Sequence, residues 1–157
     1  MVTVVSLAEA NQRRNEFDVV ISAGPRPSEV RWGHPCHLVR TFYDVTDSAA
    51  RGAVTQADVK AMLAFAGPNQ SVLVHCHRGE SRSTAVAIGL LVQAGSTPTA
   101  AVEQLQSVHP TGRQFVPNAL VLTHVETLLS CNGLVSDVAK LIPTAGVLMP
   151  LTTSRLW

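Results

Sequence analysis

The chain has 157 residues, enough for one domain with a sizeable core, and its 46% apolar and 15% charged content is that of a compact globule rather than a disordered segment. A formal net charge of +1 without any run of basic residues argues against a surface that wraps nucleic acid, so no nucleic-acid partner is expected. Cys36, Cys76 and Cys131 are spaced for neither a disulfide framework nor a zinc site, which fits a reducing, cytoplasmic setting, and no signal peptide or apolar run of about 18 residues suggests export or a membrane span.

In chain order, Val2 to Val5 reads as a first strand, and Leu7 to Asn15 as a short helix or turn with Ser6 placed to cap it. Phe17 to Ser22 is a second strand, stopped by the loop signal Ala23-Gly24-Pro25-Arg26-Pro27-Ser28. Leu38 to Tyr43 forms a third strand-like segment that runs into the acidic loop Asp44-Val45-Thr46-Asp47. At Thr55 the period changes. Thr55 and Asp58 suit a capping box, and Val59, Met62, Leu63 and Ala66 recur at helical spacing up to Gly67, a candidate helix stop.

Ser71 to His75 reads as a central buried strand, and Ser83 to Ala94 as a helix apolar on nearly all sides, which places it inside the fold. Thr97-Pro98 opens another helix with proline at its first position, and Pro117 to Leu129 is expected to begin the same way and to end at Asn132-Gly133. Strands gathered early and helices gathered late imply an α/β (α+β) domain with a short mixed sheet flanked by helices. Residues 1–133 are expected to form that domain, and residues 134–157 a C-terminal extension in which Pro143, Gly146 and Pro150 interrupt any regular element.

Between the central strand and the buried helix lies His75-Cys76-His77-Arg78-Gly79-Glu80-Ser81-Arg82-Ser83. A strand, a short glycine-bearing loop and a helix N-terminus in series can turn several backbone N–H groups towards one point, and the positive end of the helix dipole favours a tetrahedral oxyanion there. At one end of the loop Cys76 sits where those amides and Arg82 favour a thiolate, the nucleophilic form of cysteine. At the other, Arg82 offers a planar fork of donors that can hold two phosphoryl oxygens, which lysine cannot do. Gly79 suits a positive φ or a close backbone approach within the turn. The amides of His77, Arg78, Gly79, Glu80 and Ser81 would line the anion, leaving the side chains of His77, Arg78 and Glu80 to set substrate preference.

The string His-Cys, five residues, Arg-Ser closely resembles the active-site signature of cysteine-dependent protein tyrosine phosphatases, and the short chain is similar to their dual-specificity branch. The resemblance extends from roughly Val2 to Gly133. It implies hydrolysis of phosphomonoesters through a cysteinyl-phosphate intermediate, with no metal and no other cofactor. By the same resemblance His75 supports the thiolate through the hydrogen bonds of the loop, and Ser83 stabilises it as a leaving group when water resolves the intermediate. A leaving oxygen that gains negative charge also needs a proton donor. The family carries that acid on a loop after a strand, some thirty residues before the cysteine, a place that Asp44 fits best and for which Asp47 is the rival.

The implied substrate is a phosphorylated protein, carrying phosphotyrosine and possibly phosphoserine or phosphothreonine. Phosphoinositides, RNA 5′ ends and small phosphate esters remain alternatives, as does a weakly active phosphoprotein-binding module, for which Glu80 is the one hint. Asn118, after Pro117, either supports the active-site loop or starts a helix, and Arg113 is a further candidate for substrate contact. His34, His37, His109 and His124 show no ligand spacing and read as solvated or capping residues. Cys36 or Cys131 would be the partner if Cys76 were protected as a disulfide. Oligomeric state is not encoded in any of these patterns.

Overall fold

The computed structural model describes residues 1–142. Four strands, β1 (Val2–Ser6), β2 (Val19–Ala23), β3 (His37–Arg40) and β4 (Val72–Cys76), form one sheet in the order β1-β4-β2-β3. The α/β class is the expected one, but all three pairings are parallel, so the sheet is not the mixed one that the sequence suggests. The reason lies in the connections. Each successive strand is reached by a crossover, through α1 (Leu7–Arg13), through the loop of residues 24–36, or through α2 (Gln56–Phe65), and crossovers of this length return the chain in the same direction.

Capping explains where the early helices start. Ser6 and Glu9 form a reciprocal capping box at α1, and Thr55 and Asp58 form one at α2. At its other end α2 stops with Ala66 in an extended conformation, and the Gly67 N–H donates to Gln70 Oε1, so Gly67 is not a left-handed stop. Helix α3 (Arg82–Gln93) is buried from Arg82 to Leu91, as its all-round apolar sequence requires. Helix α4 (Pro98–Val108) has Thr97 as N-cap and proline at its first position. Helix α5 (Ala119–Leu129) differs from expectation: Asn118 is its N-cap, Pro117 lies outside it, and it ends at the left-handed Ser130 rather than at Asn132-Gly133. Helix α6 (Leu134–Leu141) follows, and Leu134, Val138 and Ile142 join the main core. Pro143, Gly146 and Pro150 lie outside the described residues.

The two faces of the sheet are covered unequally. Val4, Val19, Ile21, Val72 and Val74 face the main core, which includes Met62 and Leu63 of α2, the buried length of α3, and Leu120, Val121, Leu122 and Val125 of α5. Alternation sends Val5, Val20 and Leu73 to the other face, where Ala10, Phe17 and the half-buried Trp32 cover them in a smaller cluster. Register decides which polar groups share that second face. Ser22 pairs with His75, and Val20 pairs with both Leu73 and His37, so the side chains of Ser22, His37 and His75 project together. At the carboxyl ends of the strands, Ser6 lies opposite Cys76 and Ala23 opposite Arg40. That edge of a parallel α/β sheet is where ligands bind.

Candidate active site

The loop from Cys76 to Arg82 is held open by what its carbonyls do. The His77 carbonyl accepts from Leu7 N–H over 3.2 Å, the Glu80 carbonyl from Val116 N–H over 2.9 Å, and the Ser81 carbonyl from Asn118 N–H over 3.2 Å. Thr84 Oγ1 also donates to the carbonyls of Glu80 and Ser81. These bonds fix the loop from outside, and the Gly79 N–H points within it to the Cys76 sulfur. Gly79 makes the turn at φ +77°, and a Cβ there would lie 2.8 Å from the Val5 backbone, so both the dihedral and the packing demand glycine.

Cys76 is buried at the mouth of this loop. Its Sγ accepts from Gly79 N–H over 3.2 Å and lies 3.2 Å from Ser83 Oγ. Ser83 is therefore not the cap of α3; the N-cap position belongs to Ser81, and the Ser83 hydroxyl is turned to sulfur. Arg82 is buried too. Its Nη1 donates to the Phe42 carbonyl over 3.0 Å, while its Nε has no hydrogen-bond partner among the described residues and faces Asp44 Oδ2 across 3.9 Å. A buried guanidinium N–H without a partner costs free energy unless something accepts from it, and an oxyanion in the loop is such an acceptor.

Asp44, on the loop after β3, reaches this place. Its Oδ1 accepts from Ser81 Oγ over 2.8 Å and from Asn118 Nδ2 over 2.8 Å, leaving Oδ2 as the oxygen able to carry a proton. Asp47 does something else: its Oδ1 accepts from Ala49 N–H over 2.9 Å and closes a turn. Asn118 has both of the functions considered for it, since its Oδ1 caps α5 through Val121 N–H while its Nδ2 holds Asp44 and the Val45 carbonyl.

The polar side chains around the loop are paired. Arg78 Nε lies 3.0 Å from Glu80 Oε2, and His77 Nε2 lies 3.6 Å from Glu29 Oε1. Burial, with help from the Arg82 charge, pushes the His77 pKa below its ordinary value. Arg113 is bound to Glu9, so it stands as a brace between the loop of residues 110–117 and α1. His75 is fully buried, and burial holds its pKa down to about 4 against a weaker opposing pull from the Cys76 backbone.

Gly24, Ser22 and His37, which the sequence does not mark as site residues, belong to this neighbourhood. Gly24, read only as a loop signal, has φ +108°, and a Cβ on it would overlap Arg82 Nη1 and Cζ. Ser22 Oγ lies 2.6 Å from His75 Nε2 and 2.7 Å from His37 Nε2, so His37 is neither solvated nor a cap. Cys36 does not lie near Cys76. It precedes His37, level with the start of β4, whereas Cys76 ends β4 two strands away, a separation well beyond the roughly 7 Å that a disulfide spans. Cys131 follows α5 and packs against the main core.

No protein-family model matches the sequence, and no curated protein matches it. Solved structures do. DUSP15 superposes with a TM-score of 0.61 at 18% identity, covering 88% of this chain and 90% of its own. PTPMT1 gives 0.59 at 19% identity over 89% and 95%, and human DUSP28 gives 0.57 at 20% identity over 82% and 94%. The fold is that of the cysteine-based protein tyrosine phosphatases of the dual-specificity type. Among the described residues no helix is long and apolar enough to cross a membrane.

Proposed function

We propose that this protein hydrolyses phosphomonoesters by a two-step cysteinyl-phosphate mechanism. The Cys76 thiolate attacks phosphorus as the ester oxygen departs, and Asp44 Oδ2 delivers its proton to that oxygen. The main-chain amides of residues 77–81 and the Arg82 guanidinium hold the three remaining phosphoryl oxygens as charge builds on them. In the second step Asp44, now ionised, takes a proton from water as the water attacks the phosphocysteine. The Ser83 hydroxyl then donates to the departing sulfur. The observation that carries this reading is the convergence on one loop of a buried sulfur accepting from Gly79 N–H and a buried arginine whose Nε lacks a hydrogen-bond partner among the described residues.

Phosphotyrosine in proteins is the substrate this reading favours, with phosphoserine and phosphothreonine accepted less well. The loop's cationic side chain Arg78 stands beside Glu80, and His77 beside Glu29, so neither is presented singly to a second phosphate. That pairing favours a singly phosphorylated group over a polyphosphorylated inositol, although one structure of the same fold is of PTPMT1 in complex with PI(5)P.

The test is hydrolysis of para-nitrophenyl phosphate with EDTA present, by wild type and Cys76→Ser, followed by a panel of phosphopeptides, inositol lipids and 5′-triphosphate RNA. Turnover that vanishes in Cys76→Ser and is highest on phosphotyrosyl peptides supports the reading. Phosphopeptide binding without turnover would make the chain a binding module instead.

A further inference from the structure

Ser22, His37 and His75 form a hydrogen-bonded chain on the small-cluster face of the sheet. Ser22 Oγ stands 2.6 Å from His75 Nε2 and 2.7 Å from His37 Nε2. Ser22 and His75 are fully buried and His37 is half-buried. Trp32 stacks on the His37 ring with centroids 4.8 Å apart and planes 8° from parallel, and leans on His75 at 5.6 Å. The Arg14 guanidinium covers the Trp32 ring at 5.2 Å. Nothing in the phosphoryl-transfer mechanism needs this arrangement, yet it ends on the residue that precedes the nucleophile.

Donor counting gives the chain a direction. A serine hydroxyl has one hydrogen, so it can donate to only one of the two Nε2 atoms, and the other must donate to it. In one arrangement His75 donates from Nε2, which leaves its Nδ1 as a bare lone pair. In the other, His37 Nε2–H donates to Ser22, Ser22 donates to His75 Nε2, and His75 carries its hydrogen on Nδ1. His75 Nδ1 is buried and makes no hydrogen bond of ordinary length among the described residues, and the neighbouring Cys76 backbone favours the protonated ring, as an acceptor beside it does. A bare lone pair there would face an acceptor, whereas an N–H would be drawn to it. The second arrangement follows.

We infer that Ser22 and His37 are positioning residues that fix His75 in the Nδ1–H tautomer, so that the imidazole pins the Cys76 backbone and keeps the loop's amides directed at the phosphate. The inference rests on the reading of Cys76 as the nucleophile, but its signature is independent of turnover. His37 is suited to the outer position because its Nε2 can donate both in the neutral Nε2–H tautomer and in the charged ring. Burial and the nearby His34 push its pKa down, which keeps it neutral at physiological pH.

Long-range nitrogen–proton NMR correlation of the imidazoles, near neutral pH, reads the tautomer directly. Wild type is expected to show His75 protonated at Nδ1. In Ser22→Ala that preference is weakened, and kcat on para-nitrophenyl phosphate falls about five-fold with KM unchanged, the effect of one uncharged hydrogen bond. Ser22→Thr keeps the hydroxyl and restores both. His37→Gln retains a donor and behaves as wild type, while His37→Leu behaves as Ser22→Ala. Finding His75 protonated at Nε2 in wild type overturns the inference without any variant having to fold. So does an unchanged tautomer and kcat in Ser22→Ala, since a purely structural serine would lower melting temperature alone. Absence of turnover in wild type would count against the phosphatase reading, whereas the tautomer decides this one.

Discussion

Asn118 donates from Nδ2 to Asp44 Oδ1 over 2.8 Å while its own Oδ1 caps α5 by accepting from Val121 N–H over 3.0 Å. One side chain thus ties the start of a core helix to the proposed proton donor. Ser81 Oγ joins it on the same carboxylate oxygen, so Asp44 is held by the loop of residues 76–82 and by the N-cap of α5 at once. Substitution can separate the two functions. Asn118→Ser keeps a capping oxygen but cannot reach Asp44, whereas Asn118→Ala loses both. Steady-state kinetics should show kcat down about ten-fold in each, within the range expected for a misplaced general acid. Thermal unfolding should show a stability loss of about 1 kcal/mol in Asn118→Ala only.

Gly24 leaves the room that the Arg82 guanidinium occupies, and its φ of +108° is one that side chains rarely adopt. Gly24→Ala should displace Arg82 and lower kcat/KM on para-nitrophenyl phosphate on the order of 10²-fold, the scale for losing a preorganised donor to a developing charge. Tungstate affinity, measured by calorimetry, should fall in parallel. Retained tungstate binding would mean that Arg82 is not displaced.

The Ser83 hydroxyl lies 3.2 Å from the Cys76 sulfur, and in the proposed mechanism it acts when the sulfur leaves. Ser83→Ala should therefore slow breakdown of the intermediate more than its formation. Rapid mixing should reveal a burst of para-nitrophenol followed by a kcat reduced about ten-fold, with kcat/KM nearly unchanged.

Two groups with large shifts contribute to the loss of stability in acid, in different windows. His75 is held neutral by burial, with a folded pKa of about 4 against 6.5 when free, so the unfolded chain binds the extra proton between those values. Stability is full above pH 6.5 and falls on the order of 3 kcal/mol on descending to about pH 4. Glu9 acts lower. Its pKa is brought from 4.5 to about 2 because hydrogen bonds from Arg113 and Ser6, with the Arg113 charge, together outweigh the opposing effect of burial. Its contribution is present above pH 4.5 and is lost towards pH 2. Urea unfolding against pH should show the upper descent flattened in His75→Asn and the lower one flattened in Glu9→Gln.

Much of this site is written locally. The strand ending at Cys76, the glycine-bearing loop and the buried helix from Arg82 are contiguous, so a single stretch of sequence carries the proposed nucleophile, anion cradle and clamp. Asp44 is singled out by the family resemblance, with Asp47 as its rival, and it is Asp44 whose carboxylate meets Ser81 and Asn118 beside the loop. What the sequence hides is register. Ser22 and His37 meet His75 only because β2 lies between β3 and β4 in a parallel sheet, and the same residues in a mixed sheet would face elsewhere. Gly24 likewise reads as an ordinary loop glycine until Arg82, far along the chain, is seen to fill the space beside it. The parallel direction is not legible in the sequence, because the loop of residues 24–36 has no long helix to signal a crossover.

The central claim is a covalent one, and acid-quenched mass spectrometry tests it most directly. Enzyme mixed with para-nitrophenyl phosphate and quenched within a turnover should yield a peptide heavier by one phosphoryl group on Cys76, and Ser83→Ala should accumulate more of it. Turnover that continues with Cys76 unmodified, or that persists in Cys76→Ser, would contradict the account.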